Sequence, residues 1–195
     1  RSGSASRSPR RLVLGRVVIR TDDPPLDHRT TLVTLPEGDV LADVGFGWQT
    51  PIVPVPMSGV EVGSRHRRFR VIDVGDRGWE SQVLSPDGWV SRYRFDLHEY
   101  GDIDCEVGHF YCSRNPQMPF VNTLIASLVV GDEVRSLRDG VYQVITPAGT
   151  EATSLDGADH LRSLMANELL VYVTPEEAEL LWCDIAAKRE AEIQG

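Results

Sequence analysis

Two residues of this chain have the types and spacing for proton chemistry. His28 opens the apolar run "HRTTLVTL", and Asp43 stands near the end of the next, "VLADVGFG". A carboxylate that accepts a hydrogen bond from one imidazole nitrogen fixes the tautomer and raises the basicity of the other nitrogen. That second nitrogen can then take a proton from a serine or cysteine nucleophile. In a hairpin the odd separation of the two residues puts both side chains on one face for any register with an odd pairing sum. A tight turn centred on Glu37-Gly38 leaves them several residues out of step. A turn one or two positions earlier, or a bulge, brings them together. Gly45 and Gly47 let the backbone approach a ligand with no Cβ in the way. The plain alternative is a strand histidine and a turn aspartate, each satisfied by backbone, and the spacing leaves both readings open.

The elements that must position this pair follow from the chain's punctuation. "RLVLGRVVIR", "TTLVTL", "VLADV", "RFRVIDV", "WESQVL" and "WVSRYRFDL" are short runs of β-formers. They are separated by turns such as Pro36-Glu37-Gly38-Asp39, Gly75-Asp76-Arg77-Gly78 and Pro86-Asp87-Gly88, and read as an antiparallel meander, a small barrel. Beyond "SRNPQMPF", the runs "NTLIASLVV" and "GVYQVIT", with "TEATSL", give a smaller second group of strands. "DGADHLRSLMANEL" then predicts a helix. "TPEEAELLWCDIAAKREAEIQG" predicts another, with Thr174 as cap, Pro175 at the first position and Glu177 completing a capping box. Its apolar residues Ala178, Leu181, Trp182 and Ile185 recur at helical spacing, and Gly195 closes it. The expected organisation is residues 1–10 as a disordered or remnant segment, 11–115 as a β-barrel domain, and 116–195 as an α/β lid with a C-terminal helix.

Composition narrows the function classes. The 195 residues carry a net charge of −9, which argues against nucleic acid, because neutralising phosphates needs a basic face. No apolar run is long enough to span a membrane. The basic start "RSGSASRSPRR" has no apolar segment behind it, so it does not read as a secretory signal. Three cysteines, Cys105, Cys112 and Cys183, are an odd and sparse set that fits a reducing, cytoplasmic setting.

Other clusters are weaker. Cys105, His109 and Cys112 in "CEVGHFYC" stand close enough together to suggest zinc, but there is no second cluster. The expectation is a barrel strand with partly buried thiols and no metal. "RHRRFR", residues 65–70, reads as a solvated strand edge with a possible phosphate role. Trp79, Trp89 and Tyr93 read as barrel core and rim. His66, His98 and His160 show no partner pattern.

The string "DHRTTLVTLPEGDVLADVGFGWQTPIVPVPM" closely resembles the centre of the arylamine N-acetyltransferases, where a histidine opens a strand and a "DVGFG" turn and a "P…P" stretch follow. The similarity extends to "LGRVVIR", "YRFDL", "NPQMPFVNTL" and the helical tail, and so covers most of residues 11–195. The resemblance implies an α+β fold: an antiparallel β-barrel followed by a small α/β lid, a cysteine-protease-like arrangement here without its N-terminal helical bundle. It implies acetyl transfer from acetyl-CoA to arylamines or hydrazines by a Cys-His-Asp ping-pong route. His28 and Asp43 match the family's catalytic histidine and aspartate, and Phe46 and Gly47 match residues beside the acyl and CoA pocket. Trp48 stands where many relatives carry another glycine, and Asp27 where a small hydroxyl residue is common. The family's cysteine lies upstream, in an "RGGxCxE"-type motif that this sequence lacks. The expectation is therefore a truncated member, inactive alone. Its bare barrel face would include Val17, Ile19, Phe46 and Trp48 and would be open to self-association. The rival readings are a non-catalytic remnant that binds CoA or a protein, and another member of the wider Cys-His-Asp acyltransferase and transglutaminase-like group.

Overall fold

Residues 10–19 and 24–194 are described by a computed structural model. The chain forms two compact units that part between Asn115 and Pro116. The first is built on an eight-stranded antiparallel sheet. Its strands are β1 (Arg10–Val17), β2 (Leu26–Leu35), β3 (Gly38–Ala42), β4 (Val55–Pro56), β5 (Val62–Gly63), β6 (Arg68–Asp73), β7 (Trp79–Ser85) and β8 (Gly88–Phe95). Their order in the sheet is β4-β3-β2-β1-β8-β7-β6-β5. The sheet curls so that the stretch after β4 meets β6, where Gly59 N donates to Val71 O at 3.0 Å. The result is the nearly closed barrel that the turn rhythm predicts.

Alternation along the strands sends Val13, Val17, Leu32, Leu41, Phe69, Val71, Tyr93 and Phe95 inward, with Val55, as one buried cluster. Burying each such side chain contributes about 1.5–3 kcal/mol. Val17, expected on a bare face, is part of this core because it lies two residues beyond Gly15 on the inward side of β1. Ile19 and Trp48 are half exposed, and Phe46 packs against the core.

A helix, α1 (Asp102–Arg114), closes the first unit. The segment "CEVGHFYC", expected as a barrel strand, is therefore helical. Asp104 Oδ2 accepts from Gly101 N at 2.8 Å and caps the start. Ile103, Val107 and Phe110 repeat at helical spacing on an exposed stripe. The opposite face sets Cys105, Gly108, His109 and Cys112 beside Leu14, Leu26, Asp27 and Arg29 of β1 and β2. Gly108 is what permits the contact, since a Cβ there would stand 2.6 Å from Leu26 O.

The second unit is a four-stranded antiparallel sheet of β9 (Ile125–Val130), β10 (Glu133–Arg138), β11 (Val141–Thr146) and β12 (Gly149–Ser154) in sequential order. A one-turn helix, α2 (Pro119–Asn122), precedes it. Two helices follow, α3 (Ala158–Glu168) and α4 (Pro175–Gln194). Leu137, Tyr142, Leu155, Leu161, Leu164, Met165, Leu169 and Ile185 make its core. Asp139-Gly140 joins β10 to β11 with φ of 42° and 77°, the Asp-Gly chemistry of a two-residue hairpin. The predicted capping box of α4 is present: Thr174 N donates to Glu177 Oε2 at 2.8 Å and Glu177 N to Thr174 Oγ1 at 3.2 Å. Ala178 and Ile185 are the buried residues of its apolar face. Gly195, expected to close the helix, lies outside the described residues, as do residues 1–9.

Candidate active site

The β2–β3 hairpin turns through Pro36-Glu37, with Leu35 opposite Gly38 and Thr31 opposite Ala42. That turn is one position earlier than one centred on Glu37-Gly38, and its register continues to place Asp43 across from Thr30. His28, two residues back on the same face, becomes the diagonal neighbour of Asp43. His28 Nε2 and Asp43 Oδ2 are 3.1 Å apart, and the Asp43 carboxylate has no solvent exposure. Hydrogen-bonded to a carboxylate, Nε2 carries a proton, and in the neutral ring Nδ1 keeps the lone pair. Nδ1 has no hydrogen-bond partner among the described residues.

Asp43 is held from three directions. Its Oδ1 accepts from Gly45 N at 3.0 Å, and its Oδ2 accepts from the Tyr93 hydroxyl at 2.7 Å as well as from His28. Burial raises the affinity of this carboxyl for a proton, but the hydrogen bond and charge of His28 with the Gly45 and Tyr93 donors outweigh it. Asp43 therefore stays below the ordinary carboxylate range. The Tyr93 hydroxyl shifts the other way, pushed up by burial and by the neighbouring Asp43 charge, so it remains a donor.

Two rings fix the imidazole. Phe46 meets it edge-on at 5.1 Å and Tyr93 at a tilt at 4.5 Å. Phe46 owes its position to a short 3-10 turn, Gly47–Gln49, entered at Gly47 with φ of 67°, a conformation that favours glycine. Arg67 Nη2 holds the far end of that turn through Trp48 O at 2.9 Å and Thr50 O at 3.0 Å. The basic run 65–70 is thus only partly a solvated edge: Arg70 also stacks on Trp89 at 4.2 Å and bonds Gln82.

Tyr93 reaches Asp43 because β1 carries no side chain at Gly15, which pairs with His28 on one side and Phe95 on the other. Beside it, a bulge between Ser81 and Gln82 leaves Arg92 without a partner residue on β7, so Arg92 and Tyr93 both turn inward and are fully buried. Gly15, Tyr93 and Arg92 are absent from the sequence-based site.

The two cysteines of the first unit stand elsewhere. Leu14–Arg29 and Gly15–His28 are adjacent rungs of the β1–β2 ladder, so their side chains point to opposite faces. Cys105 and Cys112 lie with Leu14 and Arg29, on the face away from the imidazole, and Cys112 Sγ contacts Asp27 O at 3.7 Å. Cys183 is exposed on the second unit. His98 and His160 each make an exposed pair, with Asp96 and Asp156.

The barrel brings a carboxylate-bonded imidazole to its inner face, and a small sheet with two helices follows it in the sequence. Residues 10–177 match the family model described as N-acetyltransferase. The arylamine N-acetyltransferase of Escherichia coli K12 is 38% identical over 118 residues, 59% of this chain and 42% of that one. The solved arylamine N-acetyltransferase of Salmonella typhimurium superposes with a TM-score of 0.82 at 25% identity, covering 92% of this chain and 69% of that one. The Mycobacterium marinum enzyme in complex with CoA superposes with a TM-score of 0.79 at 25% identity, covering 89% and 68%. The chain belongs to the arylamine N-acetyltransferase family, whose named relatives are acyltransferases. It spans about half the length of the curated relatives it matches, 42% in one case and 58% in another. Among the described residues, no helix is long and apolar enough to cross a membrane.

Proposed function

We propose that His28 and Asp43 are the base and its orienter in transfer of an acetyl group from acetyl-CoA to an arylamine or hydrazine. The observation that carries this reading is the 3.1 Å contact of His28 Nε2 with a fully buried Asp43 oxygen, which leaves Nδ1 as the proton acceptor. A cysteine thiol presented to Nδ1 gives up its proton, and the thiolate attacks the acetyl-CoA carbonyl. The C–S bond to CoA breaks, and the CoA thiolate leaves with the proton from Nδ1. The acceptor amine then attacks the enzyme thioester, loses a proton to Nδ1, and departs acetylated as the protein thiol is restored. Phe46 borders the imidazole, and with Gly47, next to it at the start of the 3-10 turn, would line the acyl and CoA side of the pocket; CoA is a substrate here.

Cys105 and Cys112 face away from the imidazole, and the proposal takes the thiol from the upstream motif of the family or from another chain. That same observation favours a second reading, in which residues 1–195 alone bind CoA or a protein without turnover. The test is acetyl transfer from acetyl-CoA to a hydrazine acceptor, by the chain alone and by the chain supplied with the family's cysteine-bearing segment. The proposal expects no turnover above the blank in the first case and turnover in the second that His28→Gln abolishes. Equal rates with and without His28 would overturn it.

A further inference from the structure

The inward-turned Arg92 raises a question that the acid–base pair does not answer. Its side chain has no solvent exposure and makes no ion pair among the described residues: Nη1 donates to Gln49 O at 2.7 Å and Nη2 to Ser81 Oγ. Its Nε is buried without a hydrogen-bond partner among the described residues. A buried cation left partly unsatisfied is costly, and a methionine or leucine would fill the space without that cost. The guanidinium does, however, lie against three aromatic rings: Phe46 at 5.0 Å, Phe69 at 5.3 Å and Tyr93 at 5.3 Å. Phe46 and Tyr93 are the two rings that bracket His28, and they contact each other at 5.3 Å. Gln49, whose carbonyl accepts from Nη1, ends the turn that begins beside Phe46.

We propose that Arg92 is a positioning residue for the His28–Asp43 pair: its guanidinium binds the faces of Phe46 and Tyr93 and the Gln49 carbonyl, and so locks the cage that orients the imidazole. A cation attracts the face of an aromatic ring directionally, which an apolar side chain of the same volume does not. The planar fork adds two fixed donors, one to each wall, Gln49 on the loop side and Ser81 on the β7 side. The inference rests on the reading of His28 as a base, but its readout does not depend on turnover.

The test is the nitrogen-detected NMR spectrum of His28 in the purified chain, with circular dichroism as the control for folding. Arg92→Met keeps the volume and removes the charge and fork. It is expected to leave the barrel folded while the His28 Nε2 proton exchanges about tenfold faster, a loss of protection typical of one weakened buried hydrogen bond. Arg92→Lys, which restores the charge, is expected to recover part of that protection. Protection equal to wild type in Arg92→Met overturns the proposal. Should Arg92→Met fail to fold, Arg92→Lys is read alone: it keeps the charge and loses the fork to Gln49 O and Ser81 Oγ, so exchange faster than wild type supports the proposal and unchanged exchange overturns it. A wild-type ring that shows no protonated Nε2 would overturn the His28–Asp43 reading itself, a result separable from any Arg92 outcome.

Discussion

Gly15 and Tyr93 share one place on the inner wall of the barrel: a Cβ on residue 15 would stand 2.9 Å from Tyr93 Cδ2 and 3.4 Å from Arg94 O. The ring crosses β1 only because that strand is bare there, and its hydroxyl reaches Asp43 as a result.

Gly15→Ala must therefore move the ring or part the strands. Overpacking of this kind costs about 1–3 kcal/mol, and the Tyr93 hydroxyl would leave the carboxylate. Urea unfolding of the variant measures the cost. A loss smaller than about 0.5 kcal/mol, the range of a surface change, would show that the ring is not confined as described.

Tyr93→Phe removes one of three donors from a buried carboxylate, at an expected cost of about 1–3 kcal/mol at neutral pH. The pH dependence has a definite sign. Asp43 is held below its ordinary value of 3.8, so it stabilises the fold above that pH and the contribution is lost as pH falls through its lowered value. Losing the hydroxyl moves the Asp43 value up and shrinks the contribution. The stability difference between wild type and Tyr93→Phe should be full near neutrality and narrow as the carboxyl protonates in both. A difference that grows on acidification would contradict this assignment.

Gly108→Ala tests the seating of α1, because the added Cβ meets a backbone oxygen, Leu26 O, at 2.6 Å. The helix must lift, and the half-buried Cys105 and Cys112 should react faster with a thiol reagent. Exposed Cys183 serves as the internal reference. Unchanged relative rates would mean that the helix is not fastened through Gly108.

How much of this could be read from the sequence follows from its physics. The odd His28–Asp43 separation and the hairpin punctuation are local, and they locate the pair once the turn falls at Pro36-Glu37. The capping box at Thr174 and Glu177 is equally local. Tyr93 comes from 50 residues beyond Asp43, and its place depends on the pairing of β1 with β8, which no short-range pattern encodes. Arg92 is buried because a bulge breaks the inside–outside alternation, so the period-2 pattern sends it to the wrong face. In α1, the Val, Phe and Tyr content and the glycine read as strand. The helical spacing of Ile103, Val107 and Phe110 and the acids at the start were the signals that identify it.

The most direct test of the central claim, that Asp43 steers His28, is the tautomer of one ring. In the purified chain, nitrogen-detected NMR should show the neutral form of His28 protonated at Nε2 and bare at Nδ1, and Asp43→Asn should abolish that single state while circular dichroism shows the barrel intact. A ring protonated at Nδ1, or a spectrum that Asp43→Asn leaves unchanged, would contradict the account.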